Sequence, residues 1–128
     1  MSALPPLTQG LSLIRLQQTL TITASGDSIV TKKVPFNCVI VKMYAGVEGI
    51  DDATALSVDL ENGAVDVGDP IVVATGSAIV AGGVEGTPDS GQEALSEGDV
   101  LHMDVDITGG SSPDIDGCWV DLWVARVE

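Results

Sequence analysis

The chain has 128 residues, the length of one domain, and is 45% hydrophobic but only 3% aromatic, so its core must be built in thin layers from Val, Ile, Leu and Ala. With 19 acidic and 5 basic residues its formal net charge is −14, which argues against contact with nucleic acid or anionic membrane, because phosphate recognition needs Lys and Arg. No apolar run is long enough to span a membrane, and the start Met1-Ser2-Ala3-Leu4-Pro5-Pro6 lacks the basic and apolar regions of a secretory signal, so the chain is expected to be made in a cytoplasm.

Residues 1–15 read as an extended N-terminal arm. Pro5-Pro6 favours polyproline II and blocks helix, and the alternation that starts at Leu11 and Leu13 loses its phase at Ile14. The arm is either a frayed terminus or a strap on a neighbouring subunit. The domain proper, residues 16–128, opens with an expected strand over 16–23, where Leu16, Leu20 and Ile22 can share one face. A short strand over 28–33 is interrupted by Val34-Pro35-Phe36-Asn37, since proline cannot sit in a central ladder. The most apolar strand follows over 38–45. The strand over 54–60 points Leu56, Val58 and Leu60 inward, and Asn62-Gly63 after it is a strong turn signal.

Weaker strands are expected over 70–74 and 78–81. A Gly/Pro/Ser/Glu-rich connection over 82–97 has room for one turn of helix at Gln92-Glu93-Ala94-Leu95. Two clear alternations close the chain. Over 98–107, Leu101, Met103, Val105 and Ile107 oppose His102, Asp104 and Asp106; over 118–127, Cys118, Val120, Leu122 and Val124 oppose Trp119, Asp121 and Trp123. Joined by a Gly/Ser/Pro/Asp loop, these two read as an antiparallel hairpin. Seven to eight short strands, with turns every 8–12 residues, make the pattern of an all-β sandwich or barrel.

Chemistry is sparse. No Gly-rich loop with a lysine cradles phosphate, and no serine or cysteine nucleophile motif accompanies the single His102, so an enzyme is not expected. No cofactor is implied. Asp51-Asp52 and Asp114-x-Asp116 offer hard oxygen ligands on loops, yet neither has the full spacing of a calcium loop, so they read as solvated charges and no metal is assigned. Cys38 and Cys118 both fall within strands and read as small buried apolar residues; a disulfide would require those strands to be neighbours. Trp119 and Trp123 share a strand face that packs within the domain, forms a subunit interface or stacks on sugar. Three of the 5 basic residues are Lys32, Lys33 and Lys42, the natural contact for an acidic neighbour.

Three stretches taken together resemble a family of small jelly-roll domains in tailed-bacteriophage structural proteins. Thr54-Ala55-Leu56-Ser57-Val58-Asp59-Leu60-Glu61-Asn62-Gly63 resembles its Leu-x-Val-Asp segment before Asn-Gly. Gly98-Asp99-Val100-Leu101-His102-Met103-Asp104-Val105-Asp106 resembles its Gly-Asp-x-Leu-x-x-Asp-Val-Asp segment. Val34-Pro35-Phe36 and Val39-Ile40-Val41 sit where the family enters a central strand. The likeness covers residues 29–127 and departs at Asp52-Ala53-Thr54, where many members carry Ala-Pro-Thr.

The resemblance implies a jelly-roll-like antiparallel sandwich of about eight strands. It also implies a virion protein that decorates the capsid exterior as a homotrimer and cements capsomer joints by binding the major capsid protein. The family's other setting is a receptor- or glycan-binding module of a tail fibre or baseplate. On the cement reading, Leu4, Pro5, Pro6 and Leu7 of the arm together with Lys32, Lys33 and Lys42 are expected to bind the capsid, and Trp119 and Trp123 to form the subunit interface.

Overall fold

The computed structural model describes residues 10–53, 55–74 and 83–127. Among them the strands are β1 (Leu11–Gln18), β2 (Gly26–Lys33), β3 (Cys38–Gly46), β4 (Gly49–Asp51), β5 (Ala55–Asn62), β6 (Val65–Asp66), β7 (Ile71–Ala74), β8 (Val84–Gly86), β9 (Ala94–Leu95), β10 (Val100–Thr108), β11 (Asp114–Asp116) and β12 (Cys118–Arg126). They build two antiparallel sheets, an all-β sandwich. Sheet one has the order β1-β12-β3-β8, with β9 also on β3. Sheet two has the order β2-β10-β5, with β6 and β7 in succession along the far edge of β5. A small ribbon pairs β4 with β11.

Period-2 alternation explains the core. Leu16, Val120, Leu122, Val124, Met43 and Ala45 point inward from sheet one and meet Leu56, Val58, Leu60, Leu101, Met103 and Val105 from sheet two. The chain passes repeatedly from one sheet to the other. As a result the start of β1, the end of β2, the start of β3, the start of β10 and the end of β12 all gather at one end of the sandwich.

Several expectations are corrected. The last two long strands do not form a hairpin: β10 lies in sheet two between β2 and β5, and β12 lies in sheet one between β1 and β3. The intervening loop is a crossover that contributes β11 on the way. At Gly110 (φ 83°) an added Cβ would fall 1.5 Å from the Asp52 carbonyl oxygen, so the crossover closes on the 51–53 turn only without a side chain. The first strand is β1, not 16–23, so residues 11–15 belong to sheet one rather than to an arm. Leu16 and Ile22 are buried as expected, but Leu20 is exposed.

The helical turn expected at 92–95 is β9, with Leu95 beside Cys38 and Ala94 beside Val39. The weak strand expected over 78–81 lies outside the described residues. In β3 the pairing of Trp123 with Lys42 and of Val124 with Ile40 leaves Val41 as an extra residue. This bulge flips the alternation, so that Ile40 and Met43 both point inward and Val41 points out.

Cys38 and Cys118 are buried free thiols. Their strands are indeed neighbours, but Cys38 pairs with Arg126 and Cys118 with Gln18. The two therefore sit at opposite ends of the β3–β12 pair, roughly 27 Å apart at about 3.4 Å per residue, far beyond disulfide reach.

Candidate functional site

The outer face of sheet one is a register grid. One row reads Gln17–Trp119–Gly46, the next Arg15–Asp121–Tyr44–Glu85, the third Leu13–Trp123–Lys42. Asp121 is nearly buried, and Arg15 neutralises it by a two-pronged contact in which Nε donates to Oδ1 at 2.5 Å and Nη2 to Oδ2 at 2.7 Å. That hydrogen bond is the main cause holding the Arg15 pKa above its ordinary value. The guanidinium also lies 5.4 Å from the centre of the Trp119 ring.

The Trp119 indole is laid flat along the sheet. A Cβ at Gly46 or at Gly83 would come within 2.5 Å of it, so these two glycines form its seat. The two tryptophans therefore differ. Both are partly exposed, but Trp119 lies against Gly46 and Gly83 with the Arg15 guanidinium near its ring, whereas Trp123 stands between Leu13 and Lys42 beside exposed Val41.

The outer face of sheet two is acidic. Asp104 lies directly opposite Asp59, Glu61 lies between His102 and Asp66, and Asp106 lies opposite Ser57. Like charges opposite one another repel, so protons are retained. Asp59 is pushed up to about 6, first by burial and then by the charge of Asp66; its Oδ1 is enclosed without a partner. Glu61 is pushed up to about 7, first by its hydrogen bond with Asp104, which requires a shared proton, and then by that group's charge. Asp27, Ser57, Asp59, Pro70, Asp104, Val105 and Asp106 line a shallow cleft of about 300 Å³.

Asp59, Glu61 and Asp66 each offer an oxygen within 4.8 Å of the others, the only such trio among the described residues. Oxygen-only donors suit a hard cation, but such an ion takes six to eight of them. The two acidic pairs singled out in the sequence are brought together elsewhere: the β4–β11 ribbon sets Asp51 opposite Asp114. Asp114 is held above its usual range, first by the charge of Asp116. Asp52 is engaged as a loop clasp, accepting from the Ser112 N–H at 2.6 Å and the Ser111 N–H at 3.2 Å.

One contact was not legible in the sequence. Ser28 Oγ lies 3.0 Å from His102 Nδ1 across 74 positions of chain, so a hydroxyl does accompany the histidine. Ser28 has a positive φ of 50° where β2 departs from regular pairing, and its own N–H donates to Asp104 Oδ1 at 2.6 Å. A serine touching a histidine is the beginning of a nucleophile–base pair. Here, however, the serine N–H is committed to a carboxylate and the surroundings are anionic, the opposite of what a developing oxyanion needs. The contact pins the β2 bulge onto β10.

The basic residues divide. Lys32 and Lys33 close β2 at the end of the sandwich where β1 begins, and there the Arg126 guanidinium lies 4.2 Å from the centre of the Phe36 ring. Lys33, Val34, Pro35, Glu97 and Gly98 line an open cleft of about 410 Å³ at this end. Lys42, grouped with these lysines in the sequence, lies instead on the sheet-one face beside Trp123. Leu4, Pro5, Pro6 and Leu7 lie outside the described residues; the chain enters β1 from residue 10 at the basic end. Compared with known proteins, the chain matches no protein-family model, no curated protein and no solved structure.

Proposed function

We propose that this chain is a jelly-roll structural protein of a tailed-phage virion, a cement protein that sits on the capsid exterior as a homotrimer bound to the major capsid protein. The observation that carries the reading is the strand order. Sheet one (β1-β12-β3-β8) faces sheet two (β2-β10-β5-β7), and the chain crosses repeatedly between them, staying in sheet two only from β5 to β7, in the manner of two interlocked Greek keys, which supports a jelly roll of eight main strands. The segments that resemble the phage family supply β5 and β10, the two central strands of sheet two.

Binding rather than catalysis is the mechanism. The basic end, with Lys32, Lys33, Phe36 and Arg126, suits an acidic shell surface, and β1 begins there. Three weak attachments per trimer multiply through effective concentration. Lys42 and Trp123 belong to the contact between subunits rather than to the shell.

The test is copy number against the major capsid protein in purified particles. Hundreds of copies per particle are expected of a shell decoration. A handful would support the receptor- or glycan-binding tail module instead, and absence from particles would refute both.

A further inference from the structure

We infer that Asn62-Gly63 is a self-modification site that the fold holds closed: the Asn62 amide survives while Asp99 clamps it, and when the turn opens the Gly63 nitrogen attacks the Asn62 side chain and converts it irreversibly to a carboxylate. The turn joins β5 to β6 at the basic end of the sandwich, where Lys32, Leu101 and Asn62 stand in one row. A glycine after an asparagine leaves the attacking nitrogen unshielded by a side chain. The chain's other asparagine, Asn37, is followed by buried Cys38. In the closed turn both reacting groups are engaged. Asn62 Nδ2 donates to Asp99 Oδ2 at 2.9 Å, and the Gly63 N–H donates to the Val100 carbonyl at 2.9 Å. The same Asp99 oxygen accepts from the Ser96 N–H at 2.8 Å, so the 96–99 turn fixes the clamp in place. These two bonds, Ser96 first, hold the Asp99 carboxyl below its usual range. The hairpin beyond the clamp is weak. It pairs Asn62 with Val65 and sets Glu61 against Asp66, carboxyl to carboxyl, and Gly63 and Ala64 are exposed, so it can open while the sandwich stays closed.

Water is the only co-reactant. The Gly63 nitrogen gives its proton to solvent base and bonds to Asn62 Cγ; the Cγ–Nδ2 bond breaks and ammonia leaves. Water then opens the cyclic imide at one carbonyl to give aspartate, or at the other to give isoaspartate, which adds a methylene to the main chain. Either product replaces a hydrogen-bond donor by a carboxylate facing Asp99, so the contact that closed this end becomes a repulsion. Isoaspartate also displaces the pairing with Val65. A molecule that has reacted cannot re-form the clamp. The chemistry is independent of the virion reading.

The test is peptide mapping by mass spectrometry after incubation in mildly alkaline buffer. The full chain is compared folded and unfolded in urea, beside folded Asp99→Ala and Asp99→Asn, with circular dichroism to check that each variant folds. The readout is the mass gained when carboxylate replaces amide in the peptide carrying Asn62. Folded wild type is expected to react at least about tenfold more slowly than the unfolded chain. Asp99→Ala should react faster than folded wild type, whereas Asp99→Asn, whose amide oxygen still accepts from Asn62, should stay near the wild-type rate. Urea too dilute to unfold the chain should leave the Asp99→Ala rate unchanged, because a local opening exposes little surface. Equal rates in folded and unfolded chain, an Asp99→Ala rate equal to wild type, or a rate that climbs steeply in dilute urea would overturn the inference. Should Asp99→Ala not fold, Asn62→Asp decides. Its urea midpoint should lie below that of the wild type, with the gap narrowing in acid as one of the facing carboxyls takes up a proton, and an unchanged midpoint would overturn the inference as well.

Discussion

The two outward faces of the sandwich come from the same strand alternation and differ in how they handle charge. On sheet one the single central carboxylate, Asp121, is matched by Arg15 with a two-pronged hydrogen bond, and an indole covers the pair's flank. On sheet two Asp59, Glu61, Asp66 and Asp104 face each other across three strands with no cationic partner among the described residues. The inward residues are equally apolar in both sheets, so burial holds the acidic face together against its own repulsion. What the contrast teaches is that the inward half of each strand specifies the fold and leaves the outward half free to pair its charges or to crowd them.

The most damaging way to break the contrast is to remove the seat of the indole. Gly46→Val places a side chain where the Trp119 ring lies, and overpacking of this kind costs about 1–3 kcal/mol. Urea denaturation should show that loss together with red-shifted tryptophan emission; unchanged emission would mean that the ring is not held there. A smaller effect is expected of Asp121→Asn, which strips Arg15 of its charge partner. The arginine is nearly half exposed, so solvent screening limits the loss to about 1–2 kcal/mol, and high salt should narrow the gap to wild type.

The smallest effect is the titration of the acidic face. Asp59 and Glu61 both have folded pKa values above their unfolded ones, so the folded state binds these protons more tightly. The stability they contribute is complete below the ordinary carboxylate range and is lost as pH rises through about 6 for Asp59 and about 7 for Glu61. The thermal midpoint should therefore fall across that window in the wild type. The double variant Asp59→Asn with Glu61→Gln should flatten the fall, and an equally steep fall in the variant would assign the dependence to other groups.

The sequence made the inward code legible and the neighbours illegible. Leu101, Met103 and Val105, and Val120, Leu122 and Val124, read correctly as buried faces because period 2 fixes side-chain direction. The same pattern does not say which strand lies alongside, so β10 and β12 read as a hairpin although the crossover loop carries the chain to the other sheet. Leu11 and Leu13 obscured β1 by making both of its faces apolar, and the bulge at Val41 reversed the phase of β3 midway.

At the candidate site, the separation of Trp123 from Trp119 depended on two glycines, Gly46 and Gly83, that are remote from the indole in sequence. The parting of Lys42 from Lys32 and Lys33 depended on the Pro35 connection, which moves the chain from sheet two to sheet one.

The two buried thiols provide a natural pair of reporters. Burial pushes the Cys118 thiol up to about 12 and raises that of Cys38 as well, so neither is a nucleophile while the sandwich is closed. They stand at opposite ends of one strand pair, Cys38 where the lysines gather and Cys118 where the crossover loop lands. Alkylation of each therefore times the opening of a different end of the same molecule, without any label being introduced.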